Sequence, residues 1–147
     1  MCLFRKKDLG KIYTTTDGYF ADNKRNKKKR HVVVVDQRKD GALAVSKLHT
    51  QKEGRKGCID NLVLSPRRHK VLKENTVVEK RVIHGVKRDG NHKPILRKEL
   101  TGTKSRLGIF EFLRVKKGVG GSNRKDKRQY KNTRRKWHNY FGNQKRK

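Results

Sequence analysis

Four consecutive valines, Val32, Val33, Val34 and Val35, constrain this chain more than any other stretch. Branching at Cβ stiffens each side chain in favour of extended backbone, and an unbroken apolar run suits a strand buried on both faces. After a gap of six residues, Ala42, Leu43, Ala44 and Val45 form a second apolar run. Between them Asp40 and Gly41 supply a hairpin turn, in which glycine takes a positive φ at no steric cost. Two antiparallel neighbours are predicted, with Asp36 and Asp40 as turn formers.

The flanking segments extend the pattern. Lys11, Ile12, Tyr13, Thr14 and Thr15 have strand-like composition, as do Gly18, Tyr19 and Phe20. Residues 59–64 form another apolar run ending at Ser65 and Pro66, and Thr76, Val77 and Val78 through Val82 and Ile83 suggest a further strand. A short helical turn fits residues 69–73. After Pro94, residues 95–100 and 107–113 are apolar enough to pack back on the sheet, with helix and strand equally compatible. Several short strands with few helical patterns predict a mainly β chain folded as one small barrel. The expected division is a basic arm over 1–10, a barrel with its packing segment over 11–117, and a flexible joint with a basic, aromatic, helix-compatible tail over 118–147. Gly118, Gly120 and Gly121 with Ser122 mark the joint.

Charge narrows the partners. The 147 residues carry 43 Lys and Arg against 13 Asp and Glu, a formal net charge of +30; small domains more often sit at a magnitude of ~2–8. Cations released from a polyphosphate when Lys or Arg replaces them make binding favourable and salt-dependent. RNA is the expected partner, with DNA open on the same electrostatics. The ends are the most basic parts: residues 1–31 hold ten cations and three acids, and residues 122–147 hold eleven and one. The run Lys27, Lys28, Lys29 and Arg30 and the loop pair Arg67 and Arg68 read as phosphate contacts, although a solvated face has the same composition. In the tail, Tyr130, Trp137 and Phe141 fall seven and then four residues apart, with Arg134 on that stripe and Arg135 and Lys136 beside it. Such a stripe either stacks on bases beside its cations or docks a helix on the core.

Other chemistries are thinly represented. The six histidines show no short pairing with each other or with Cys2 or Cys58, so no metal site and no cofactor is expected. No glycine-rich phosphate loop ends in Lys and Ser or Thr. Two cysteines do not make a disulfide framework. The opening residues lack the apolar stretch of a signal peptide and nothing approaches a membrane span, so a cytoplasmic protein without membrane contact is expected.

Arg30, His31 and the valine run, followed by Ala44, Val45, Ser46, Lys47, Leu48, His49 and Thr50, resemble the MazF/PemK ribonuclease toxins of toxin–antitoxin systems. In that family an Arg-Pro pair opens a hydrophobic strand and a later strand ends in a small residue, proline, an aliphatic residue and Thr or Ser. Gly18 to Asp22 looks like the family's first strand, and residues 72–83 are similar to its later signature. The likeness covers about residues 11–86. It implies an SH3-like barrel, a homodimer, an antitoxin partner and metal-independent cleavage of single-stranded RNA. Arg30 matches the phosphate-stabilising arginine. The hydroxyl position falls on His49 in a direct alignment and on Thr50 after a shift of one. His31 and Lys47 stand where the family has prolines. Beside this reading of an endoribonuclease of a mobile element stand a non-catalytic ribosomal or ribosome-associated RNA binder and a DNA-binding accessory protein of a mobile element.

Overall fold

The computed structural model describes residues 8–20, 28–88 and 91–136. Lys27, Trp137 and Phe141 lie outside them. The chain is mainly strands, gathered in a curled five-stranded antiparallel sheet, with one long helix at its C-terminal end. The order across the sheet is β4 (Thr76–Val78), β3 (Leu43–Thr50), β2 (Lys29–Gln37), β1 (Lys11–Thr16) and β7 (Thr101–Arg106). A separate two-stranded ribbon pairs β5 (Gly85–Arg88) with β6 (Asn91–Pro94). It is tied to β3 where Val45 and Ile83 exchange backbone hydrogen bonds of 2.8 and 3.0 Å.

The valine run forms the centre of β2, and all four valines are 0% exposed. Strand β2 pairs with β1 on one side and with β3 on the other. The hairpin closes as expected, with Gly41 at φ +94° and Gly41 N–H donating to the Arg38 carbonyl at 3.0 Å. Register shifts fall between Val34 and Asp36 in β2 and between Lys11 and Tyr13 in β1. Irregularities of this kind bend a strand and raise its local twist, which curls the sheet.

Several expectations are corrected. Gly18, Tyr19 and Phe20 belong to a single helical turn, α1 (Asp17–Phe20), not to a strand. Residues 59–64 make no strand: isolated bridges at Cys58 and Leu64 flank a looped segment that buries Ile59 and Leu62. Ile83 contributes one bridge, and extended pairing resumes only at Gly85. Residues 65–72 form hydrogen-bonded turns, and a 3₁₀ turn covers Arg97–Glu99. Asp36 is a strand residue at the β2 irregularity, not a turn former.

The largest correction concerns the joint. Residues 118–122 are internal to α2 (Ile109–Lys136), a continuous helix of 28 residues. Phe112, Val115 and Val119 place their side chains in the same core cluster as the β2 valines. Spacings of three and four put these residues on one face of a helix. Burying that face offsets the roughly 1 kcal/mol by which each glycine disfavours helix. Two buried polar clusters seat the helix. Near its start, Glu111 accepts from the Gly108 N–H at 2.8 Å and contacts His69 Nε2 at 3.1 Å. Farther along, Asp126 meets Arg38 at 2.6 Å and His84 Nδ1 at 2.8 Å. Arg38 also reaches Asp36 at 3.1 Å and the Asn123 side chain at 2.8 Å. Burial alone would raise the Asp36 carboxyl. Hydrogen bonds from Asn123 and the Gln37 N–H, with the charges of Lys116 and Arg38, outweigh it and hold the group below its usual value.

Candidate nucleic-acid interface and active site

The β2–β3 register defines the site. Val32 faces Lys47, so continuing the antiparallel pairing by two residues sets Arg30 opposite His49 with both side chains on one face. Arg30 Nη1 lies 3.2 Å from His49 Nδ1. On the far side of His49, strand β4 pairs Val77 with His49 and Val78 with Leu48. Glu79 follows immediately, held by its N–H donating to the Lys47 carbonyl at 2.9 Å. Its carboxylate comes back diagonally to His49, with Oε2 2.6 Å from Nε2.

Hydrogen-bond roles fix the histidine's tautomer. A guanidinium has donors only, so His49 Nδ1 accepts. Nε2 then carries the proton and donates to Glu79. The result is an imidazole oriented by a carboxylate, with its lone pair aimed at an arginine. The His49 and Glu79 side chains keep 19% and 23% exposure, so solvent and ligand atoms reach both.

This chain of contacts opens on a groove of about 890 Å³. Lys28, Lys29, Arg30, Lys52, Arg55 and Lys73 line it, and among the described residues Glu74 is the one lining carboxylate. His31 lines it too, within 3.2 Å of Thr14 Oγ1. Burial, reinforced by the charge of Lys29, holds the His31 imidazole below its ordinary pKa.

Of the residues expected to act, Arg30 and His49 come together, with Lys28 and Lys29 on the same groove. Thr50 lines the groove but pairs with Thr76, and strand alternation turns it to the face opposite His49. Arg67 and Arg68 are exposed on a turn after Pro66. Arg134 is hydrogen-bonded to Asp40, and Tyr130 is buried beside Ala42 and Leu96 with its hydroxyl 3.2 Å from Asp40, so this part of the stripe docks the helix. Arg135 is exposed on α2, which ends at Lys136.

Sequence reasoning missed Glu79. The available signal was strand alternation, which puts it on the His49 side once Val77 is paired. A second histidine cluster has serine–histidine–carboxylate connectivity: Ser105 Oγ is 2.6 Å from His69 Nδ1, and Glu111 lies on the other ring nitrogen. His69 is 4% exposed, and the cavity of about 320 Å³ beside it is lined by His69 and Glu111 but not by Ser105. This cluster anchors the start of α2. Among the described residues no group of three His, Cys, Asp or Glu could hold a metal ion, and no helix is long and apolar enough to cross a membrane.

No protein-family model matches the chain, and no curated protein matches it. The groove's geometry carries the functional reading.

Proposed function

We propose that this protein binds RNA in the basic groove and cleaves it without metal, on a small SH3-like barrel of the MazF/PemK type. One observation carries the reading: Arg30 and His49, the latter held by Glu79, line a groove that among the described residues has six cations and one carboxylate. The curled antiparallel sheet around the β2–β3 hairpin supports the barrel.

The chemistry follows from the donors. An incoming phosphodiester competes for the Arg30 guanidinium, whose planar donors match phosphate oxygens. As Arg30 turns to phosphate, His49 Nδ1 is released to take the 2′-hydroxyl proton. The 2′-oxygen attacks the adjacent phosphorus, the bond from phosphorus to the 5′-oxygen breaks, and that oxygen recovers a proton. The products are a 2′,3′-cyclic phosphate and a 5′-hydroxyl. Arg30 stabilises charge developing on the non-bridging phosphate oxygens, while Glu79 fixes the ring and balances the imidazolium.

Purified protein should therefore cleave single-stranded RNA in excess chelator. Arg30→Ala and His49→Ala should each reduce the rate by roughly 10²–10⁴-fold, with no greater loss of RNA affinity than Lys28→Ala. Glu79→Gln retains an acceptor for the Nε2 proton and should keep more activity than Glu79→Ala. Absence of cleavage by the native protein, with affinity intact, would leave a binder and remove the enzyme.

The cationic surface of α2 favours a second reading, a ribosome-associated RNA-binding protein without catalysis. Cosedimentation with ribosomal subunits that survives a high-salt wash is its expected signature; complete release would count against it.

A further inference from the structure

Helix α2 carries eleven Lys and Arg and two carboxylates. Neither carboxylate serves its outer surface: Glu111 and Asp126 are 8% and 6% exposed and committed to the two seating clusters. The core-facing row runs through Phe112, Val115, Val119, Asp126 and Tyr130. On the opposite side Arg114, Lys117, Arg124, Arg128, Lys131 and Arg135 are all exposed. With Gly121 filling the one gap, their spacings alternate three and four, so they form a single straight row. From Arg114 to Arg135 the row is roughly 30 Å long at ~1.5 Å per residue.

Such a row works against the helix that bears it. Like charges three or four residues apart destabilise a helix by roughly 0.2–0.5 kcal/mol per pair, and the outer face offers no carboxylate to relieve them. An external polyanion does. The exposed large hydrophobics among the described residues are Val63, Ile109, Phe110 and Leu113; Phe110 and Leu113 flank only the N-terminal end of the row, and from Lys117 to Arg135 none is exposed on it. A protein partner needs a better apolar anchor than the row provides. Grip on single strands combines cations with aromatic platforms for unstacked bases; the row has cations alone. A duplex shows chiefly its phosphates to such a surface, with its bases already stacked.

We infer that the outer row of α2 is a second nucleic-acid site, separate from the groove, that docks on the phosphate backbone of base-paired RNA. The choice of RNA over DNA rests on the groove reading; the row itself does not.

The test is salt-dependent binding of a 2′-O-methylated RNA hairpin, which cannot undergo 2′-hydroxyl attack, so loss of cleavage and loss of docking are read separately. For the full chain carrying Arg124→Gln, Arg128→Gln and Lys131→Gln, the slope of log affinity against log salt should fall by about 2–3, near 0.9 per lost contact. The unfolding temperature should stay level or rise, since repulsion is removed and glutamine is a good helix former. An unchanged slope in the triple variant overturns the assignment, as does an equal loss on a single strand with the same number of phosphates. Tighter binding of a DNA duplex than of the hairpin, or displacement of the hairpin by polyglutamate as effective as by RNA, would overturn it as well.

Discussion

Burial, with the ammonium of Lys29 adding to it, makes His31 harder to protonate in the folded protein than in the unfolded chain. Its contribution to stability is therefore present above the ordinary histidine value near ~6.5 and is lost as pH falls below it. His31→Gln should flatten the decline of the urea midpoint between about pH 7 and pH 5; an equal decline in both proteins would exclude His31 as its source. The neighbouring residues show what could be read from order alone. Arg30 and His49 are nineteen positions apart, yet the Asp40-Gly41 turn and the valine run were enough to make their strands adjacent. Glu79 could not be placed that way, because its approach to His49 depends on β4 joining the far edge of β3 across a long looped segment. Thr50 was separable from His49 only once pairing fixed which face each occupies.

Among the elements, β1, β2, β3 and β4 were legible because period and branching favour strands there whatever packs on them. Helix α2 was not, since Gly118, Gly120 and Gly121 carry a local preference for a joint and only tertiary contact overrides it. The three glycines differ in role. A Cβ on Gly118 would lie 2.7 to 3.0 Å from three side-chain carbons of Ile59, whereas one on Gly121 has nothing nearer than Arg124 at 4.0 Å. Gly118→Ala should thus destabilise by about 1–3 kcal/mol through overpacking, and Gly121→Ala should stabilise by roughly 0.5–1 kcal/mol. Urea midpoints of the two variants should move in opposite directions; a shared direction would mean that the helix does not press on Ile59. A sequence signal for the docked end existed as well. Asp126 is the lone acid among residues 122–147, set among eleven cations, and it is the one that meets Arg38 and His84.

For the molecule as a whole, a net charge of +30 on 147 residues makes stability sensitive to ionic strength. Without a polyanion, raising salt from about 10 to 150 mM shortens the screening length from ~30 to ~8 Å and weakens self-repulsion. The unfolding temperature should rise over that range in scanning calorimetry, and RNA added at low salt should raise it further by mass action. A flat response would mean that the cations are already compensated within the fold. The two polar clusters that seat α2 set a further property. They grip the helix at Glu111 and Asp126, fifteen residues or roughly 22 Å apart, one through His69 and the other through Arg38 and His84. Sliding the helix by one turn would break both grips, at roughly 3–5 kcal/mol for the buried Arg38–Asp126 pair alone. The helix is thus a spar bolted at two points, and the second bolt, through Arg38 and Asp36, fastens it to the hairpin whose first strand carries Arg30.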